Sequence, residues 1–115
     1  MERKLENLKV WQDARVLTNS IYSMMSDCRD YGFKDQIQRA SVSIMNNIAE
    51  GSESGSDSLF VRYLNIAKGS CSEVKSMLYL CLDLGFCTEQ RQAELMTMLQ
   101  SIGNQIYKLI EYLNK

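Results

Sequence analysis

The segment from Gln36 to Glu73 carries the side chains with the greatest capacity for chemistry, because charged, amide and hydroxyl groups recur there at helical spacing. The members of a first set are separated by three or four residues, and those of a second by seven, one and three, which places each set on or beside one face of a helix. Arginine and carboxylate groups can form bidentate pairs, so we expect Glu50 and Glu73 to pair with Arg39 and Arg62. The two sets are Gln36, Arg39, Ser43, Asn47 and Glu50, followed by Arg62, Gly69, Ser70 and Glu73.

This polar segment has two interpretations. It forms either a groove that binds a ligand or nucleic acid, or a network of paired polar groups that fixes how helices or subunits pack. Buried polar groups are costly unless they are paired, and paired networks can specify packing. We favour the network, and the sequence leaves open whether it lies within one subunit or between subunits.

Enzymatic chemistry has little support. The chain has no histidine, which is the commonest general base. A di-metal site built on Glu50 and Glu73 would need Glu-x-x-His motifs, and Ser70-Cys71-Ser72 has no adjacent base to activate a nucleophile. The four cysteines form no C-x-x-C pair, so zinc and iron–sulfur sites are not indicated. We therefore predict no catalytic residue, cofactor or metal.

Composition bounds the class of protein. The 115 residues contain no proline, which favours long helices in one domain spanning residues 1–115. The net charge is −1, without a basic cluster, and this argues against nucleic acid as a partner. No apolar run approaches the ~20 residues that cross a bilayer, so we expect no membrane contact. A cytoplasmic location, with cysteines reduced, is the expectation.

The elements that position these residues are four segments of helical periodicity, at about 8–28, 34–50, 56–84 and 89–113. Gly32 is suited to a left-handed helix end, Gly51 ends the second segment, and Gly85 ends the third. The third segment has several possible N-caps, among them Ser54, Ser56, Asp57 and Ser58, and Thr88 makes a partial capping box for the fourth, with Arg91 in place of Glu. Short connections make sequential helices antiparallel. The fold class is therefore all-α, an up-down-up-down four-helix bundle.

Small residues near the centre of the third segment predict close approach of another helix. They are Ala67, Gly69, Ser70 and Cys71. The second and third segments also expose a semi-polar face, and we expect homo-oligomerisation through it.

Two motifs resemble a known family. One is Asn47-Ile48-Ala49-Glu50-Gly51, and the other runs Phe60-x-x-Tyr63-Leu64-x-Ile66-Ala67-x-Gly69-Ser70-x-x-Glu73. Together they resemble the signature of bacterial 23S rRNA intervening-sequence proteins, also labelled S23 ribosomal proteins. The resemblance implies an antiparallel four-helix bundle assembled into a barrel-shaped homopentamer. Related accessory proteins of diversity-generating retroelements are basic and bind nucleic acid and a reverse transcriptase. Gln38 stands here where members often have a second basic residue, which argues against that activity.

Two functions follow. The first is a non-enzymatic, oligomeric interaction or scaffold protein. The alternative is an RNA- or DNA-binding accessory protein linked to 23S rRNA intervening sequences or to a reverse transcriptase. The alternative would use a patch assembled from Arg3, Lys4, Lys9, Arg15, Arg39, Arg62 and Lys68.

Overall fold

The computed structural model describes residues 4–115, and within that range the regular structure is helical, with no strand. A short 3-10 turn at Leu5–Asn7 precedes the first helix. The helices are α1 (Lys9–Met24), α2 (Tyr31–Ser52), α3 (Asp57–Asp83) and α4 (Glu89–Leu113). The four predicted helical segments are confirmed.

The helices surround one cluster of buried apolar side chains, in a molecule of 45 × 20 × 20 Å. Neighbouring helices in the chain pack on each other, and α4 also packs on α1. Fully burying a leucine or isoleucine side chain contributes about 1.5–3 kcal/mol, so this cluster is the main source of stability. Each helix contributes to it, through residues that include Leu17, Ile21, Ile37, Ile44, Leu64, Leu78, Ile102 and Ile106.

Polar contacts fix the register between the helices. Gln36 contacts Glu73, whereas Ser43, further along α2, contacts the earlier residue Ser70. The same order holds between α1 and α4, where Asp13 contacts Gln105 and Ser20 contacts Arg91. In both pairs, residues later in one helix meet residues earlier in the other.

Side-chain caps begin three of the helices. The side chain of Ser56 accepts a hydrogen bond from the backbone N–H of Leu59 at 3.3 Å, and Thr88 accepts one from that of Arg91 at 3.1 Å. Ser56 is one of the four candidate caps that the sequence offers for α3, and Thr88 is the cap expected for α4. Such a cap satisfies a backbone N–H that has no partner within the helix.

Helix α2 begins earlier than the sequence predicted. Asp30 accepts a hydrogen bond from the N–H of Phe33 at 3.1 Å and begins the helix at Tyr31, three residues before the expected Lys34. Gly32 is therefore helical and does not adopt the left-handed conformation, which occurs at Gly55 and Gly85. Since the extra turn points Phe33 inward, its ring is buried and meets Phe86 edge-on at 5.2 Å between centroids.

Other boundaries and core positions also differ. Helix α1 ends at Met24, before the expected Cys28, while α2 runs one residue past Gly51. Leu84 and Ala93 continue the helical spacing of the apolar residues in the third and fourth segments, which predicts core positions, but both are exposed. Leu95 is the buried residue near the start of α4. It precedes Leu99, Ile102 and Ile106 at steps of four, three and four residues, which is the spacing of the stripe that faces the core.

Candidate functional site

A chain of hydroxyl and amide groups joins α2 to α3. The Oγ atoms of Ser43 and Ser70 lie 2.8 Å apart, and the side-chain amide of Asn47 donates to Ser43 Oγ at 3.1 Å. Ser70 in turn donates to the carbonyl of Ile66 at 3.3 Å. Either of the two hydroxyls can be the donor in the contact between them. Within residues 4–115, no buried side-chain nitrogen or oxygen lacks a partner. The side chains of Ser43, Asn47 and Ser70 are thus linked to one another within the subunit.

Gly51 allows the end of α2 to lie against the start of α3. A Cβ atom at this position would sit 2.8 Å from Cδ1 of Phe60 and 2.9 Å from Cβ of Tyr63. Both distances are shorter than packed carbon atoms adopt. The glycine of the Asn47–Gly51 motif is thus required by close packing rather than by a turn.

The charged residues of the polar segment point outward. Arg39 pairs with Asp35, one turn earlier in α2, at 2.8 Å, and its side chain is 80% exposed. The expected pairing of Arg39 with Glu50 or Glu73 is wrong, since Asp35 lies within reach along the same helix. Glu73 instead accepts a long hydrogen bond of 3.4 Å from the side-chain amide of Gln36. Glu50 and Arg62 are exposed.

A stripe of exposed residues runs along α3 beside this network, and we call it the outer face of α3. Its members recur at intervals of three, four or seven residues and so lie on one side of the helix. Four of them are aliphatic, with exposures between 41% and 49%. The outer face consists of Leu59, Arg62, Ile66, Gly69, Glu73, Leu80 and Leu84.

Gly69 sits near the middle of the outer face. A Cβ atom built on it would have no neighbour within 4 Å. A mid-helix glycine costs roughly 1 kcal/mol relative to alanine, so nothing within the subunit explains this residue. The expectation that the other small residues are packed holds for Ala67, Ser70 and Cys71, which are buried.

Sequence reasoning missed the aliphatic half of this surface. Leu84 was assigned to the core, and Leu59 and Leu80 were not singled out. The available signal was a second periodicity, because Leu59, Ile66 and Leu80 differ by seven and fourteen residues and so repeat at the heptad interval.

A groove between α3 and α4 is the other notable surface feature. Its volume is about 330 Å³, and its lining includes Lys68, Lys75, Gln100, Gly103 and Tyr107 but no acidic side chain.

The cations proposed from the sequence are largely dispersed. Lys9 pairs with Asp13 at 2.7 Å, and Arg39 with Asp35. The guanidinium of Arg15 lies 5.7 Å from the centre of the Trp11 ring. Arg3 lies outside the described residues.

The described part of the chain shows neither a candidate metal site nor a candidate membrane-spanning helix. Residues 4–115 contain no group of three or more side chains placed to hold a metal ion. None of the helices described is sufficiently long and apolar to cross a membrane.

The described residues form an all-helical protein of four helices, in which Ser43, Asn47, Gly51 and Ser70 of the two motifs pack α2 against α3. The sequence matches the family model of the 23S rRNA-intervening sequence protein over residues 6–108. The chain therefore belongs to the 23S rRNA-intervening sequence protein family, as its motifs had suggested.

A solved structure has the same fold. It is the crystal structure of a protein of unknown function from the S23 ribosomal protein family of Bacteroides thetaiotaomicron VPI-5482. The TM-score is 0.82 at 22% sequence identity, over 88% of this chain and 97% of that one. No curated protein matches the sequence. Neither the family nor the solved structure is named for an enzymatic activity.

Proposed function

We propose that this chain is an antiparallel up-down-up-down four-helix bundle, one domain over residues 1–115, that assembles into a barrel-shaped homo-oligomer. In this proposal it acts as an interaction or scaffold protein of the cytoplasm and has no enzymatic activity. In the α2–α3 and α1–α4 contacts, residues later in one helix meet residues earlier in the other, and this order supports the antiparallel arrangement. Five subunits is the number that the family resemblance implies.

The observation that carries the proposal is the outer face of α3. Exposed aliphatic side chains aligned along one helix are typical of an interaction site. Gly69 leaves room at its centre for the backbone of a neighbouring subunit. Arg62 and Glu73 bear opposite charges on the same stripe, so a second copy can offer each of them a partner. A surface that carries both charges is suited to contact with itself.

Light scattering on purified protein at micromolar concentration tests this assembly. We expect wild type to be oligomeric and Ile66→Asp to be monomeric, because the substitution buries a charge without a partner in the interface. Val16→Asp is the matched control, since Val16 is an aliphatic residue of similar exposure, 53% against 47%, on α1. A monomeric wild type, or equal dissociation by both variants, would contradict the proposal.

The α3–α4 groove favours nucleic-acid binding as a second function. Lys68 and Lys75 are two turns apart, about 10 Å along α3, and Tyr107 offers a ring on which a base can stack. The family name also refers to 23S rRNA. We expect Lys68→Glu with Lys75→Glu to abolish binding to 23S rRNA fragments.

The control is Arg29→Glu with Lys34→Glu, which changes the charge equally beside the α1–α2 connection. Wild-type binding should weaken steeply as salt rises. Absence of binding at low salt would exclude this second function.

A further inference from the structure

The α3–α4 connection folds the chain back over the end of α3. Gly85 has a φ of 75°, and its N–H donates to the carbonyl of Leu82 at 3.1 Å. The N–H of Phe86 donates to the carbonyl of Cys81 at 2.9 Å. These two bonds form the Schellman arrangement that closes a helix through a left-handed glycine. As a result, Cys87 returns to the last turn of α3, where Cys81 lies.

The two thiols are neighbours. The side chain of Cys87 lies close enough to that of Cys81 to affect its ionisation. Cys81 is fully buried, whereas Cys87 is only partly buried. Cys28 lies close enough for its charge to act on Cys81, but its own Sγ is directed to the carbonyl of Asp30 at 3.8 Å. Three of the four cysteines therefore gather at one end of the molecule.

Cys81 and Cys87 differ in how far they are buried, and this gives the two thiols different reactivity. Burial, together with the neighbouring Cys87, raises the pKa of Cys81 to about 12, so Cys81 stays protonated near neutral pH and is a poor first nucleophile. Cys87 is the more accessible member of the pair. A reagent from solvent therefore meets Cys87 first, with Cys81 directly behind it.

We propose that Cys87 and Cys81 form a modification site for low-molecular-weight disulfides, which convert the two thiols into an intramolecular disulfide. In the first step the Cys87 thiolate attacks one sulfur of the reagent RSSR, forming a Cys87–SR mixed disulfide and releasing RS⁻. In the second step Cys81 attacks Sγ of Cys87, its proton passes to the departing sulfur, and RSH leaves. The two protein thiols are oxidised as RSSR is reduced to two thiols. A dithiol reductant reverses the reaction.

Cys81 is the resolving thiol in this proposal because the α3–α4 connection returns Cys87 to the last turn of α3, where Cys81 lies beside it. Cys71 serves as an internal control. It is also a buried thiol of α3, but it lies ten residues before Cys81, about 15 Å along the helix.

Glutathione disulfide is the probe, applied to folded wild-type protein, followed by blocking of free thiols and digestion with trypsin. Cleavage after lysine and arginine places Cys81 and Cys87 together in peptide 76–91, Cys28 in peptide 16–29 and Cys71 in peptide 69–75. We expect peptide 76–91 to lose two hydrogen atoms and to escape blocking. Cys28 and Cys71, in the other two peptides, should remain free thiols and should therefore be blocked.

Three variants complete the test. Cys87→Ser should abolish the change, Cys81→Ala should trap glutathione on Cys87, and Cys71→Ala should behave as wild type. A cross-link between peptides 16–29 and 76–91 would overturn the assignment, since it would make Cys28 the partner. Complete resistance of wild-type peptide 76–91 to glutathione disulfide would overturn the site itself.

Discussion

At the scale of single residues, the family motifs of this chain describe packing. Ser43, Asn47 and Ser70 supply a hydrogen-bonded link between two helices. Gly51 has no side chain, and this allows α2 to approach Phe60 and Tyr63 closely. The sequence also allowed a binding groove at these residues, but their side chains contact one another between α2 and α3.

Gly51→Ala should destabilise the protein by about 1–3 kcal/mol, because the added methyl group overpacks the contact between α2 and α3. Urea unfolding measures the change. Gly103→Ala is the control, since its Cβ would meet nothing within 4 Å, and it should stabilise the helix by up to ~1 kcal/mol. A Gly51→Ala protein as stable as wild type would show that the two helices separate at little cost.

At the scale of elements, a partly buried carboxylate links α1 to α4. Oδ2 of Asp13 accepts hydrogen bonds from Lys9 at 2.7 Å and from Gln105 at 2.8 Å. Desolvation raises the pKa of Asp13, but the hydrogen bonds from Lys9 and Gln105 and the charge of Lys9 together lower it below 3.8. The ionised carboxylate therefore stabilises the contact between the first and last helices.

The stabilising effect of Asp13 should depend on pH. Because its pKa is lower in the folded state, the contribution is present above about pH 4 and is lost as pH falls through the folded pKa. Asp13→Asn should therefore be less stable than wild type near pH 7, with a difference that narrows in acid. Urea unfolding across pH measures it, with Asp27→Asn, an exposed carboxylate, as control. If the difference in unfolding free energy between wild type and Asp13→Asn did not change with pH, ionisation of Asp13 would not contribute to stability.

Periodicity predicted the elements well and their surroundings less well. Four helices, the Thr88 cap and the Gly85 terminus follow from local physics, which the sequence contains directly, whereas the cap of α3 was narrowed only to four residues. The start of α2 was misplaced because an Asp30 cap and a Gly32 helix end compete for the same residues. The Arg39–Glu pairing failed because the choice between Asp35 and a neighbouring helix depends on three-dimensional distance. Exposure of Leu80 and Leu84 likewise depends on how the helices are rotated about their axes.

At the scale of the whole molecule, two surfaces of α3 have different characters. One side carries the outer face, with aliphatic residues and an open Gly69, while the other contributes Lys68 and Lys75 to a groove without acidic groups. In an assembly through the outer face, the groove would remain available. The proposed scaffold and nucleic-acid functions therefore do not compete for the same surface.

Self-association should appear in thermal unfolding. If only the folded chain assembles, mass action makes the melting temperature rise with protein concentration. We expect this rise for wild type and Val16→Asp between low and high micromolar protein, and a constant value for Ile66→Asp. Calorimetry at several concentrations provides the measurement. A melting temperature of wild type that is independent of concentration would contradict assembly over that range.

Helix α3 is 27 residues long, about 40 Å, and the molecule measures 45 Å along its longest axis. Inserting or deleting one residue within it would turn every later side chain by about 100°. Leu64 would then face the core while Leu78 faced solvent, and the outer face would be cut in two. Insertions and deletions should consequently be tolerated better in the connections at 25–30, 53–56 and 84–88 than within α3.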